Sequence, residues 1–470
     1  MAFSSSPQVF YGKAKLKKGL KERKEILFRN RLFICRQRGK ISMCRKDMVT
    51  FSGDATSKEN TDLEKVSCDF DKYVMKTYNR QPLCFSHGDG AWLWEQDGRK
   101  LLDFVGGIAT CSVGHCHPKL IDAVHQQMNR FHHLSNLYYI PQQVQLAKWL
   151  VEHSCADKAF FCNSGTEANE AAIKLARKYG KVRWNCKKPI IISANKSFHG
   201  RTCGSLSATA QPKYQSSFLP LLPGFLYIDY NDTPSFLKMV DNIIQSSDDS
   251  RIVGVMLEAA QGEGGVMPGD EKFFQTVRQV CNQIGALMIL DEVQVGMGRT
   301  GKLWGYEHLG IEPDIFTTAK GLAGGIPIGA MMCKSHCDLF ELGDHAATFG
   351  GNPLSCAAAL AVCHIIEEEY LIENAKLRGM ELQKGLEKLK QSFPQIISQV
   401  RGWGLLIGLQ LEKEYTASQV IDVALEENLL VLSAGPNVVR LAPPLIVTQE
   451  QVQLALHLLN NVFKRLTWSN

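Results

Sequence analysis

The sequence predicts an α/β protein. A large region is built on a mostly parallel sheet with helices on both faces, and a smaller α+β region follows it. Three observations carry this reading. Short apolar runs alternate with helix-period segments through the middle of the chain. From about Leu354 the pattern turns helix-rich, and then to strands and a last helix. The 470 residues, 45% hydrophobic and 21% charged, suffice to bury a large core.

The elements follow in order. Ala91–Trp94 and Lys100–Phe104 read as extended segments around a turn at Gln96-Asp97-Gly98. Helical periodicity covers Pro118–Phe131 and Pro141–Cys155. Ala159–Cys162, Pro189–Ala194, Phe225–Asp229, Ile252–Leu257 and Leu287–Leu290 are apolar runs of strand length, with helices at Thr166–Tyr179 and Glu271–Ile284. Later strands are expected at Gly404–Gln410, Leu429–Leu432 and Val438–Leu441, before a helix near Thr448–Leu466. The expected organisation is a transit peptide and disordered lead over 1–60, an N-terminal segment of the small domain over 61–135, a large domain over 136–363 and a C-terminal small domain over 364–470.

Charge is unevenly placed. Residues 1–46 hold 14 Lys and Arg against Glu22 and Glu25, a local net of +12 in a chain of net +6, so the rest is net −6. A basic, acid-poor, Ser-containing start reads as an organelle transit peptide for a plastid or mitochondrion, with a solvated tail and a nucleic-acid arm as the other readings. The acidic body argues against nucleic-acid binding. No run approaches the length of a membrane span, and no apolar core of a secretory signal stands near the start. The 15 cysteines are scattered without any Cys-x-x-Cys pair, as reduced thiols would be. Cys111, His115, Cys116 and His117 match no zinc spacing, so no metal is expected; Pro118 opens a helix there.

Several motifs carry chemistry. Asn163-Ser164-Gly165-Thr166-Glu167 is a tight turn into a helix. It has capping-box spacing, a glycine that allows close approach, and a hydroxyl at a helix N-terminus. It reads as a phosphate cup or as an ordinary capped helix. Phe198 and Arg201 in Ser197–Thr202 suit a flat ring and a carboxylate, against core and surface roles. Asp291-Glu292-Val293-Gln294 follows a buried strand, where Asp291 is suited to hold a positive ring nitrogen or to cap a helix. Gly296-x-Gly298-x-x-Gly301 neither directly follows a strand nor opens a helix, so it is no dinucleotide fingerprint. Lys320, before a Gly-rich turn, reads as a lysine able to condense with an aldehyde or as a surface lysine. Ala347–Pro353 is a hydroxyl-bearing loop suited to a second anion contact. Arg440, before Pro443-Pro444, is a second carboxylate clamp or a structural ion pair.

Taken together, over about residues 67–466, these motifs resemble the class-III, fold-type-I aminotransferases that depend on pyridoxal 5′-phosphate. The resemblance implies a large cofactor-binding domain and a smaller one. It implies that Lys320 bonds the cofactor aldehyde and moves the proton, and that Asp291 partners the pyridine nitrogen. It gives Gln294 the ring hydroxyl, Gly165 and Thr166 the phosphate, and Phe198 the ring face. Thr348 matches the residue that reaches the neighbouring subunit's cofactor, which implies a homodimer with active sites at its interface. Arg201 matches the arginine for the distal carboxylate, Arg440 that for the α-carboxylate of glutamate, and Glu263 the acid that covers Arg440. Ala347 stands where a Ser or Thr contacts substrate in the family, and Glu258-Ala259-Ala260-Gln261 lacks the usual Pro.

Within the class, Gly107-Ile108-Ala109 and Ser135–Tyr139 resemble the branch that exchanges the δ-amino group of N-acetylornithine with 2-oxoglutarate in arginine biosynthesis. The branch acting on ornithine usually carries Tyr where Ile108 stands. Ornithine, 4-aminobutyrate and succinylornithine are the alternative substrates. A non-catalytic relative would be expected to lack Lys320 or Asp291; another chemistry on the same cofactor is the sharper rival.

Overall fold

Seven strands form the central sheet of the computed structural model. The structure describes residues 63–246 and 249–468; the expected lead over 1–60 lies outside them. The strands are β1 (Lys158–Cys162), β2 (Lys188–Ala194), β3 (Phe225–Ile228), β4 (Ser250–Glu258), β5 (Leu287–Asp291), β6 (Ile315–Thr318) and β7 (Gly329–Cys333). They lie in the order β1-β7-β6-β5-β4-β2-β3. β7 alone runs antiparallel to its neighbours. It has no β-branched residue, so nothing in Gly-Ala-Met-Met-Cys signalled a strand.

Helices cover both faces, as the apolar runs predict. Met256, Leu287, Ile289 and Met331 pack with Ala171, Ala172, Leu175 and Ala176 of the helix Gly165–Trp184. Val255, Leu257, Met288 and Leu290 turn the other way, into the cluster holding Phe273, Phe274 and Val277 of the helix Glu271–Ile284. The period of two along each strand thus feeds two cores. Fully burying one such side chain contributes about 1.5–3 kcal/mol.

The helix Gly165–Trp184 runs longer than its apolar pattern. Ser164 caps its start by accepting from Glu167 N, and Asn185 ends it at φ +48. Among the described residues no helix is long and apolar enough to cross a membrane.

Two four-stranded sheets accompany the first, beside a two-stranded pair of Ala260–Gln261 with Met267–Pro268. One joins Phe85–Asp89, Trp92–Glu95, Lys100–Asp103 and Leu429–Leu430; the other joins Ile397–Trp403, Leu406–Leu411, Val438–Leu441 and Leu432–Ser433. The strand expected at Gly404–Gln410 is present at Leu406–Leu411, as the second arm of a hairpin. Gly404, at φ +51, makes its turn, and the partner strand Ile397–Trp403 was missed because its Ser, Gln and Arg hide the alternation. The expected strand Leu429–Leu432 is corrected to two short pieces in different sheets.

β7 meets the turn after β1 closely. A Cβ on Gly329 would lie 2.4 Å from the Ser164 carbonyl oxygen. Gly329→Ala is therefore expected to destabilise the fold by about 1–3 kcal/mol, as overpacking does, and to disturb the Gly165–Thr166 turn. Urea unfolding of the full chain checks this.

Candidate active site

The sequence-predicted residues gather at the carboxyl edge of the parallel strands, the usual ligand position in such sheets. Asp291 ends β5, Lys320 follows β6, Gly165 and Thr166 follow β1, and Phe198 follows β2.

Asp291 is buried, and both its oxygens are engaged. Oδ1 accepts from Val293 N at 2.9 Å, and Oδ2 accepts from Asn169 Nδ2 at 2.7 Å. His199 Nδ1 lies 2.9 Å from Oδ2; since a carboxylate only accepts, the ring proton sits on Nδ1. Asn169 also donates to the His199 carbonyl, while its own oxygen accepts from Thr317 Oγ1 at 2.7 Å. Asn169, His199 and Thr317 were missed. His199 stands within the quoted Ser197–Thr202 motif and Asn169 two residues beyond the quoted Asn163–Glu167 turn, but nothing about them showed that they would converge on Asp291.

Glu292 does the capping that was open between the two acids. It is fully buried and accepts from Gly305 N and Tyr306 N at 2.7 and 2.8 Å. Burial pushes its carboxyl up to about 8. Glu258, at the end of β4, was read only as part of a packing change. It accepts from Phe198 N and Gly262 N, both at 3.2 Å, and burial together with the Asp291 charge raises it well above the usual carboxylate range.

Lys320 sits at φ +45, a left-handed conformation that an L-residue adopts only at a cost. It opens a short turn, Lys320–Ala323, closed by Gly324 at φ +59. Among the described residues its ammonium forms no salt bridge. Burial, reinforced by the Arg440 charge, pulls its pKa down to about 8 against the opposing influence of Glu263, Asp291 and Glu258.

Arg440 reaches this cluster from the second small sheet, where it pairs with Gly408. Its Nη1 donates to Glu263 Oε1 at 2.7 Å and to Gln294 Oε1 at 3.0 Å, and its buried Nη2 has no partner among the described residues. Burial works against the Glu263 charge, but the guanidinium wins and holds its carboxyl below the usual range. Arg401 fixes the loop carrying Glu263 by donating to the Gly265 carbonyl at 2.9 and 2.7 Å.

The other predicted residues lie around this centre. Gly165 is needed for packing: a Cβ there would come within 2.7 Å of Val293. The Thr166 hydroxyl bonds Ser205 and Thr202 at 2.7 and 3.0 Å, linking the helix start to Cys203–Ala208. Arg201 is exposed and stacks on the ring of Tyr214, 4.3 Å away, a partner the sequence did not reveal. Ala347 is half-buried and Thr348 exposed. Their loop lies beside β1, where a Cβ on Gly350 would meet the Phe161 carbonyl oxygen at 2.2 Å.

The family model of the aminotransferases of class III matches residues 73–463. The chain is 52% identical over 425 residues to an acetylornithine aminotransferase of Synechocystis sp., covering 89% of this chain and 99% of that one. It is 56% identical over 389 residues to one of Thermosynechococcus vestitus, covering 82% and 94%. Among solved structures, the ornithine aminotransferase of Toxoplasma gondii superposes with a TM-score of 0.82 at 28% identity, covering 87% and 96%. The N-acetylornithine aminotransferase of Stenotrophomonas maltophilia superposes with 0.72 at 34%, covering 86% and 100%. The chain belongs to the class-III aminotransferases.

Aminotransferases of this class depend on pyridoxal 5′-phosphate, and the residues fit that group on their own chemistry. A desolvated lysine without a counter-ion suits an aldehyde. A carboxylate fixed by three donors suits a protonated ring nitrogen, and a glycine-containing helix start suits a phosphate.

Only the neutral amine attacks an aldehyde. Capture of pyridoxal phosphate by cofactor-free protein is therefore expected to accelerate with pH and to level off above about 8, the value to which Lys320 is lowered. An ordinary lysine would keep accelerating past about 10. Stopped-flow absorbance across about pH 6–10.5 separates the two.

Proposed function

We propose that this chain transfers the δ-amino group of N2-acetyl-L-ornithine to 2-oxoglutarate, giving N-acetyl-L-glutamate 5-semialdehyde and L-glutamate. The observation that carries this is the Arg440–Glu263 pair at 2.7 Å, in the field of Lys320. The reaction needs one site to accept two unlike reacting carbons. The δ-carbon of acetylornithine bears no carboxylate, whereas the α-carbon of glutamate does. Glu263 neutralises Arg440 for the first substrate, and Arg440 freed from Glu263 binds the second.

When bound, pyridoxal phosphate supplies the aldehyde that takes the amino group and the ring that holds the released electron pair. The chain does the rest. Asp291, oriented by Asn169 and His199, keeps a proton on the ring nitrogen. Lys320 Nζ takes the proton from the reacting carbon and returns it one carbon along, as general base and then acid. Phe198 faces the ring, and the helix start at Gly165 and Thr166 receives the phosphate. Gln294 turns its oxygen to Arg440, so its amide nitrogen is left for the ring hydroxyl oxygen. Arg201 takes the distal carboxylate of either substrate.

Ile108 supports the acylated substrate. This β-branched residue is held at φ +64, in a segment tied to the active-site turn by Ser112 Oγ donating to Gly321 O at 2.8 Å. It offers no side-chain atom to bond a free α-amino group. The names of the cyanobacterial relatives point the same way.

The 61–135, 136–363 and 364–470 division remains our domain reading, supported by the pairing of Leu429 with Leu102. We also read the protein as a homodimer in which Thr348 serves the partner's cofactor. Leu137, Tyr138, Tyr139 and Phe349 are exposed near that loop, Tyr139 fully, and a second copy would cover them. The basic lead is read as the address for a plastid or mitochondrial matrix.

Three measurements test these readings. Visible absorption of the cofactor-loaded enzyme should lose the lysine-bound band with N-acetylornithine at far lower concentration than with ornithine, and regain it with 2-oxoglutarate. The reverse preference would move the enzyme to the ornithine branch. Lys320→Ala should lack the band and lose at least about 10²–10⁴-fold in kcat. Light scattering of the loaded enzyme should give twice the chain mass; a monomer with full activity would refute the shared site.

A further inference from the structure

Arg440 donates from one nitrogen, Nη1, to two acceptors. Glu263 Oε1 is the acid that the charge argument requires, but Gln294 Oε1 accepts from the same nitrogen at 3.0 Å. Arg440 is only 3% exposed, so no bulk water competes freely for that nitrogen. The orientation of the Gln294 amide follows from the contact, because a guanidinium only donates and must face the oxygen. The amide is also confined. A Cβ on Gly262, the residue before Glu263, would come within 2.0 Å of Gln294 Oε1. The backbone that carries the first acceptor therefore packs directly on the second. From the other side Gln294 is tethered through Val293, whose N–H bonds Asp291.

We propose that Gln294 is a second latch on Arg440, and so a specificity-determining residue for the two-substrate reaction. This rests on the reading of Arg440 as the arginine that takes the carboxylate at the reacting carbon. A substrate with that carboxylate must draw Arg440 off both Glu263 and Gln294. A substrate without it leaves both contacts in place. The ratio of latched to free Arg440 then sets how readily the dicarboxylate binds, and each acceptor contributes to that ratio. Glu263 holds by charge; Gln294 holds by a hydrogen bond to a charged group, removal of which shifts an equilibrium by about tenfold or more.

The test uses the full chain loaded with pyridoxal phosphate, and glutarate, a dicarboxylate without an amine that cannot react. Its dissociation constant is measured by calorimetry. Gln294→Leu removes the acceptor and should tighten glutarate by about tenfold. Gln294→Glu strengthens the acceptor and should weaken glutarate by about the same factor. Opposite signs are the signature: a lost cofactor contact or a loosened fold would move both variants the same way. Equal signs, or no shift in either, would overturn the latch. Arg440→Ala separates the two claims. Glutarate that binds this variant as tightly as the parent sinks the reading of Arg440 itself. Weakened binding there, with no opposed effect at Gln294, sinks the latch alone.

Discussion

A carboxylate withdrawn from water must have its lone pairs satisfied, and at Asp291 that requirement organises the active site. Four strands and one helix meet in satisfying it. Val293 reaches it from the loop after β5, His199 from the loop after β2, and Asn169 from the helix that follows β1. Thr317 on β6 braces Asn169 in turn. Removing one buried partner of such a group leaves the others short and costs about 1–3 kcal/mol. The network thus fixes more than one side chain. It sets the spacing between the helix start at Gly165, the loop at Phe198 and the turn at Lys320, the three places proposed to contact the cofactor.

Charge balance around Lys320 depends on that frame. The pocket holds two cationic side chains, Lys320 and Arg440, and three buried or half-buried carboxyls, Asp291, Glu258 and Glu263. Arg440 lowers Lys320, and Glu263 raises it while holding Arg440. The ion pair proposed to govern substrate choice thus also lies in the field of the proposed base.

Much of this was legible in the sequence, for definable reasons. Lys320, Asp291 and Arg440 stand in short motifs whose residue types are unusual at strand ends, Glu263 was reached only through the family resemblance, and the body's apolar runs are long enough to mark a covered parallel sheet. What escaped was whatever depends on two distant segments at once. Asn169 looks like one more helix residue until Asp291 is placed beside it. Tyr214 lies 13 positions beyond Arg201, in a four-residue helix with no pattern of its own. Gly165 seemed to make room for a ligand, but its missing side chain makes room for Val293. β7 escaped because its buried position, between β1 and β6, is set by neighbours and by no propensity of Gly, Ala, Met or Cys.

The same dependence on distant segments explains how the site is held without being frozen. Asp291 is bound on both oxygens by groups from the large sheet's own loops. Arg440, in contrast, comes from the second small sheet, and the loop that carries Glu263 is pinned to that sheet by Arg401. The parts proposed to stay still during the reaction belong to one sheet, and the parts proposed to exchange partners between half-reactions sit where two sheets meet. An arginine with Nη1 doubly held and Nη2 buried without a partner among the described residues is not at its best-satisfied position. That deficit is what a second carboxylate, arriving on the substrate, can relieve.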